Sequence, residues 1–87
     1  MHQLLFSKNS IKYLDTISKS DKKLFGRLIA ALDEIHDNPL AGKSLAGNLK
    51  GYRSYRVGDY RIIYEVDNDR LLVYIEKIAH RKESYRQ

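Results

Sequence analysis

The stretch GYRSYRVGDYRIIYEV, residues 51–66, determines how this chain of 87 residues is interpreted. From Gly51 onward the side chains follow a period of two, which is typical of β-strands. Residues 52–57 and 60–66 each fit one strand, and Gly58-Asp59 between them is a turn dipeptide. The stretch therefore predicts a two-stranded hairpin with a tight turn.

Alternation along this hairpin separates its side chains into two sets, because successive residues of a strand point to opposite faces. In the second strand one face carries Tyr60, Ile62, Tyr64 and Val66, and the other carries Arg61, Ile63 and Glu65. We expect the first set to belong to the core. The turn also brings Arg56 near Arg61, although the pattern leaves open whether these two share a face.

Two interpretations of the arginine pair follow from its spacing alone. Like charges held close together repel unless an anion lies between them, and guanidinium groups bind phosphate and carboxylate oxygens in pairs. The pair therefore favours recognition of such an anion. In the alternative, each arginine pairs with a nearby acid on a solvated sheet face, with Asp59, Glu65 and Glu76 available.

The rest of the chain predicts two helices followed by strands. Residues 2–6 fit a first strand, and Ser7 or Asn9 can cap a helix that runs to about Thr16. Ser20-Asp21 opens a second helix with apolar spacing of three and four residues, which Pro39 ends. The remaining segments are a loop over 40–49, a turn over 67–69, an apolar central strand over 71–78 and a polar, basic tail.

These elements predict a single α+β domain over residues 1–87, in the order β-α-α-β-β-β. Two N-terminal helices pack on one face of a small, mainly antiparallel sheet of four strands. The interpretation rests on the change of period from helical spacing before residue 39 to strand spacing after residue 50.

Composition limits the possible functions. The chain has no cysteine, and its three histidines, at positions 2, 36 and 80, lack metal-ligand spacing, so we expect neither a disulfide, a metal nor a cofactor. No signal peptide or membrane-spanning run is expected, which favours the cytoplasm and no membrane partner. The net charge of +5 is typical of proteins that bind nucleic acid or an acidic protein, or it only keeps the surface solvated.

The tail adds a second group of candidate residues. His80, Arg81 and Lys82 directly follow the last predicted strand, and Tyr85 and Arg86 lie close behind. An imidazole can exchange protons near neutral pH, and an adjacent guanidinium can stabilise developing negative charge. The alternative is that His80 is an ordinary residue of a polar tail.

Together the pieces closely resemble the RelE/ParE superfamily of toxins from bacterial and archaeal toxin–antitoxin pairs. The resemblance rests on the loop from Leu45 to Gly51, on RVGDYRIIY at 56–64, and on His80-Arg81 followed by Tyr85. It extends to FSKNSIKYLDTI at 6–17 and to the overall length, so it covers nearly the whole chain. It implies two helices on a small, mainly antiparallel sheet, and a cognate acidic antitoxin as partner.

The resemblance also implies roles for individual residues. Arg61 and Arg81 match the phosphate-clamping arginines, Tyr85 matches a tyrosine that stacks on or protonates the substrate, and His80 is the candidate acid or base. Arg56 matches a basic hairpin residue, and the further candidates for phosphate binding are Lys50, Arg53, Lys82 and Arg86. Ser54 departs from the pattern, since many members have a second basic residue there; Arg53 beside it is expected to point to the opposite face.

Three functions are consistent with this resemblance. The favoured one is a metal-independent endoribonuclease that cuts messenger RNA in the ribosomal A site by attack of a 2′-hydroxyl on the adjacent phosphate, with ribosome and mRNA as partners. The alternatives are a ParE-like inhibitor of DNA gyrase without nuclease activity, and a decayed toxin that retains only antitoxin binding.

Overall fold

A computed structural model describes residues 2–84. Within them a single five-stranded sheet is covered on one side by two helices, and the strand order across the sheet is β1-β5-β4-β3-β2. The elements are β1 Gln3–Phe6, α1 Lys8–Ser20, α2 Lys22–Asp37, β2 Lys43–Ser44, a 3₁₀ turn Gly47–Leu49, β3 Tyr52–Val57, β4 Tyr60–Asp67, β5 Leu72–His80 and α3 Arg81–Ser84. The predicted α+β order is therefore confirmed. No helix within residues 2–84 is long and apolar enough to cross a bilayer.

Side-chain caps fix where the two long helices begin. The Ser7 hydroxyl accepts the Ser10 N–H at 3.1 Å, and the Asp21 carboxylate accepts the Leu24 N–H at 3.0 Å. Each cap satisfies a backbone donor that has no partner within its helix. Helix α1 runs to Ser20 rather than to the predicted Thr16, because Ile17 continues its half-buried apolar face.

The core lies between α2 and the sheet. Four fully or nearly fully buried α2 side chains with helical spacing cover the strands: Leu24, Leu28, Leu32 and Ile35. They meet the inner residues of the three central strands, among which Ile62, Tyr64, Val73 and Ile75 are completely buried. This confirms the predicted core set of the second hairpin strand. The side of the sheet that faces the helices is called the inner face below, and the opposite side the outer face.

The sheet has five strands rather than the predicted four. The added strand, β2, is only two residues long and pairs antiparallel with β3, placing Lys43 opposite Ser54 and Ser44 opposite Arg53. A two-residue strand is too short to show a period of two, so the pattern interprets the segment as loop. The predicted central position of the last strand is confirmed, since β5 lies between β1, its parallel partner, and β4.

Strand β5 is longer than predicted and contains a bulge. It continues to His80, where α3 begins directly. Ile63 lies opposite Lys77 and Tyr64 lies opposite Ile75, so Glu76 is one residue more on β5 than β4 can pair. The Ser7 hydroxyl donates to the Glu76 carbonyl oxygen at 2.7 Å, which gives this irregular position a partner.

Candidate phosphate-binding face

The hairpin turn places two arginines side by side on the outer face. Arg56 lies directly opposite Arg61, and residues that are opposite each other in an antiparallel pair point to the same side. Gly58 takes a φ of +59° in the turn, a conformation that glycine adopts without strain. The guanidinium of Arg27, in α2, would lie 2.9 Å from a Cβ added at Gly58. The register therefore answers the open question: the pair shares a face.

Arg81 joins the same end of the sheet through its backbone. Its N–H donates to the carbonyl oxygen of Asp59, in the hairpin turn, at 2.6 Å. That bond ties the first residue of α3 to a position two residues before Arg61. The fold thus brings three predicted phosphate ligands, Arg56, Arg61 and Arg81, to one end of the sheet.

His80 lies on the other side of the sheet from this arginine pair. It pairs with Tyr60, whereas Ala79 pairs with Arg61. The rings of Tyr60 and His80 meet edge to face with centroids 5.3 Å apart, and Tyr60 packs on the core. The Nδ1 atom of His80 accepts the Lys82 N–H at 3.2 Å, so the imidazole ring caps the first turn of α3. The structure does not bring His80 to the arginine face.

Arg53 and Lys50 are also separated from that end. Arg53 lies on the inner face, as expected, and its guanidinium donates to the Gly42 carbonyl oxygen at 2.7 Å. Lys50 is exposed and precedes β3, at the opposite end of that strand from Arg56. Lys82 is exposed on α3. Tyr85 and Arg86 lie outside the described residues.

Arg53 belongs to a buried lock that holds the segment before β2. The Tyr64 hydroxyl donates to the Pro39 carbonyl oxygen and accepts the Gly42 N–H, each at 2.8 Å. A Cβ at Gly42 would lie 2.6 Å from that hydroxyl, so only glycine fits there. Burial raises the pKa of Tyr64, against the opposing effects of the Gly42 N–H and the Arg53 charge. We call Arg53, Gly42 and Tyr64 the β2 lock.

Ser54 is the position at which the predicted basic residue is missing. It lies on the outer face but is 6% exposed, and its hydroxyl oxygen has no hydrogen-bond partner among the described residues. A serine hydroxyl that is shielded in this way cannot reach a substrate to act as a base. Two further cations lie in the same row of the sheet as Ser54 but on other strands, and the sequence pattern missed both.

These two cations are Lys43 and Lys77. Lys43 pairs with Ser54, Ser54 with Ile63, and Ile63 with Lys77, so the four form one row across β2, β3, β4 and β5. We call this the lysine row. It lies two residues along the strands from the row of Arg56, Arg61 and Ala79. No signal in the sequence predicts it, because one lysine belongs to a two-residue strand and the other follows a bulge.

An open cleft lies beside the outer face rather than on it. It has a volume of about 560 Å³ and is lined by Asn9, Tyr13, Glu76, Lys77, Ile78, Ala79 and Glu83. Burial raises the pKa of Tyr13, and the neighbouring Tyr60 and Glu83 raise it further. Its charged groups are two carboxylates and one ammonium, which gives no preference for phosphate. Within residues 2–84 no three His, Asp or Glu side chains come close enough to hold a metal ion.

The class of protein is defined by comparing this small basic chain and its fold with known families. A family model described as ParE toxin of type II toxin-antitoxin system, parDE, matches residues 4–85. That range covers almost the whole chain. The protein therefore belongs to the RelE/ParE superfamily of type II toxins, and the predicted resemblance is confirmed.

Individual relatives agree with this membership. Toxin RelG of Mycobacterium tuberculosis is 31% identical over 84 residues, covering 90% of this chain and 97% of the relative. Toxin RelE of the same organism is 36% identical over 77 residues, covering 82% and 79%. The crystal structure of the toxin-antitoxin complex RelBE2 from Mycobacterium tuberculosis contains a similar chain, with a TM-score of 0.78, 25% identity, and coverage of 91% and 96%.

Proposed function

We propose that this toxin is a ribosome-dependent endoribonuclease that cuts messenger RNA in the A site without a metal ion. The observation that carries the proposal is the arginine end: Arg56 and Arg61 face each other across the hairpin, and Arg81 starts a helix bonded to the same turn. The identity of 36% to a protein named Toxin RelE supports the same branch of the superfamily.

The proposed reaction is an internal displacement at phosphorus. The 2′-oxygen of one nucleotide forms a bond to the adjacent phosphorus, and the bond from phosphorus to the 5′-oxygen breaks, leaving a 2′,3′-cyclic phosphate and a 5′-hydroxyl. The 2′-hydroxyl proton goes to a base, and an acid gives a proton to the leaving oxygen. The guanidinium groups of Arg61 and Arg81 stabilise the extra negative charge of the five-coordinate phosphate.

Of the residues that the sequence predicts for proton transfer, we keep only Tyr85. We propose that Tyr85 stacks on a base of the substrate or protonates the leaving oxygen, as the family pattern implies. The sequence predicts an acid or base role for His80, whereas its ring packs on Tyr60 and caps α3. We therefore propose that His80 positions Arg81 rather than touching the scissile phosphate. The base for the 2′-hydroxyl then comes from a group other than Ser54.

Primer extension on an mRNA translated by purified ribosomes tests the proposal. Wild-type protein should produce cuts at A-site codons, and Arg61→Ala should lower the rate by roughly 10²–10³-fold, the usual cost of one transition-state donor. Arg70→Ala is the matched control, because Arg70 is exposed and lies in the turn after β4 with Asp67 as its partner. Intact mRNA in the presence of active ribosomes and folded wild-type toxin would refute the nuclease function.

We also propose a cognate acidic antitoxin as partner. The similar mycobacterial chain was solved as a toxin–antitoxin complex, and large apolar side chains are exposed on both long helices and after them, at Ile11, Ile29 and Leu40. A segment that folds on binding can cover such scattered apolar residues. Co-expression with a short acidic protein encoded next to the toxin should abolish toxicity and give a co-purified complex; free toxin after co-expression would contradict this.

One observation favours a second candidate, a ParE-like inhibitor of DNA gyrase. The matching family model is that of ParE toxins, and Ser54 supplies no base. This function predicts accumulation of gyrase cleavage complexes, with no effect of His80→Ala or Tyr85→Phe. A wild-type protein that is harmless in cells lacking the antitoxin would instead identify a decayed toxin that only binds antitoxin.

A further inference from the structure

The lysine row surrounds Ser54 with cations although Ser54 itself is neutral. Lys43 and Lys77 stand at its two ends on the outer face, separated by three strand spacings, or about 14 Å between Cα atoms. The arginine row runs parallel to it at about 7 Å along the strands. The four cations thus outline a trapezoid, with Arg56 and Arg61 about 5 Å apart on its short side and the two lysines at the ends of its long side.

From this arrangement we propose that Lys43 and Lys77 bind the phosphates that flank the nucleotide held by the arginine pair. Single-stranded RNA then crosses the outer face from β2 to β5, perpendicular to the strands. The inference rests on the proposed nuclease function and names two substrate-binding residues for it. Lys43 and Lys77 replace, from neighbouring strands, the positive charge that Ser54 lacks.

The position of Lys43 is fixed by the β2 lock, although its side chain is exposed. It follows Gly42 directly, whose N–H and carbonyl oxygen are bound by Tyr64 and Arg53. Tyr64 is completely buried, so this anchor belongs to the core. A surface lysine on a free loop would have to be ordered by the ligand, at a cost in conformational entropy. The lock removes most of that backbone cost before binding.

The centre of the outer face explains why its rim should bind the ligand. Ile63 and Ala79 are each 3% exposed and Ser54 is 6% exposed, so the centre of this face offers little surface to a ligand. The groups that extend from the face are the longer cationic ones around them. Among the described residues of the two rows and the next row along, two acids reach this face: Glu65, opposite Tyr52, and Glu76 at the bulge, and the charges of both raise the pKa of Tyr52. The four cations outnumber them. Four cations so placed repel one another, and a polyanion relieves that repulsion.

Salt-dependent binding tests the inference directly. The probe is a short fluorescent RNA oligonucleotide with 2′-O-methyl groups, which cannot be cleaved, and its affinity is measured by anisotropy at several salt concentrations. Each phosphate contact with a single strand contributes about 0.7 to the slope of log affinity against log salt. Lys43→Gln and Lys77→Gln should each lower the slope by about that amount, and Lys43→Arg should restore it.

Lys12→Gln is the matched control, because it removes the same charge from an exposed position on α1. Its slope should equal that of the wild type. Thermal unfolding of every variant guards against misfolding, notably for Lys77, whose ammonium donates to the Glu83 carbonyl oxygen at 3.3 Å. In the ribosome assay, Lys43→Gln should raise KM several-fold and leave kcat nearly unchanged, since uniform binding is lost.

The outcomes separate this inference from the proposed function. If wild type cuts mRNA but both lysine variants match Lys12→Gln in slope, the lysine row is refuted and the nuclease stands. If wild type does not cut but the lysine variants lower the slope, the nuclease is refuted and the row stands as a binding site. A folded wild-type protein that does not bind the oligonucleotide refutes the row.

Discussion

The two faces of the sheet are built from the same strands and have opposite chemistry. Arg61 and Ile62 are adjacent in β4, yet Arg61 lies on the outer face beside Arg56 while Ile62 is completely buried under α2. The inner face is mostly apolar and is covered by the helices, and the outer face carries cations around a small buried centre. Alternate residues of one hairpin therefore belong to the core and to the proposed binding face, so mutational effects should alternate along the chain as well.

Charge divides the molecule in the same way. Residues 8–37, which include both long helices, carry six Lys and Arg against five Asp and Glu. Residues 43–87 carry ten against six. Most of the net charge of +5 thus belongs to the part of the chain that forms the hairpin, β5 and the tail. The excess therefore belongs to the half of the chain that supplies the proposed phosphate ligands.

The largest expected effect on stability tests the inner face. Ile62→Ala removes a completely buried side chain and should lower the free energy of unfolding by about 2–5 kcal/mol. In a domain of this size each kcal/mol corresponds to roughly 4–8 °C in Tm, measured by calorimetry or circular dichroism. Arg56→Ala, on the outer face of the neighbouring strand and next to the partner of Ile62, should change stability by only about 0.5 kcal/mol. Equal losses of unfolding free energy in Ile62→Ala and Arg56→Ala would contradict the proposed difference between the inner and outer faces.

A smaller loss is expected when the β2 lock is weakened. Tyr64→Phe keeps the ring but removes the hydroxyl that bonds Pro39 and Gly42, leaving these backbone groups unpaired. The cost should be about 1–3 kcal/mol in urea unfolding. The same variant should weaken the salt dependence of RNA binding, because Lys43 loses its fixed register. Full stability in Tyr64→Phe would show that the lock does not hold β2.

The smallest effect is expected at Ser54. Its buried hydroxyl has no partner among residues 2–84, so Ser54→Ala should be neutral or should stabilise by up to about 1 kcal/mol. Cleavage on ribosomes should be unchanged, because we propose that Lys43 and Lys77 of the lysine row, and not Ser54, bind the RNA. A tenfold loss of cleavage without a loss of stability would identify Ser54 as part of the site and contradict the assignment of binding to Lys43 and Lys77 alone.

Much of the fold follows from the sequence because the signals are local. The apolar spacing in α2, the caps at Ser7 and Asp21, and the alternation around Gly58-Asp59 each fit one kind of element. Strand β2 could not be predicted, since it is held by side chains of β3 and β4 rather than by a pattern of its own. The extension of β5 to His80 could not be predicted, because His80 and the basic residues after it have the composition of a polar tail.

The candidate site was predictable only in part. Family resemblance selected Arg61 and Arg81, and the structure brings their backbone positions together through the hairpin turn. The orientation of His80 and the lysine row depend on strand register, which a single sequence does not determine. Tyr85 and Arg86 lie beyond the described residues, so their roles stay predictions.

The bulge at Glu76 determines where β5 can change its length. Val73 and Ile75 point to the inner face, so strict alternation would turn Lys77 and Ala79 toward the helices and His80 toward the arginines. Because Glu76 is unpaired, every β5 residue after it points to the face opposite to the one that strict alternation predicts. Deletion of Glu76 would leave a continuous ladder with both faces unchanged, whereas deletion of Ala79 would exchange the residues that follow between the two sides. In related chains, a one-residue gap at the bulge should therefore be tolerated, and a gap closer to His80 should coincide with different residues at the proposed site.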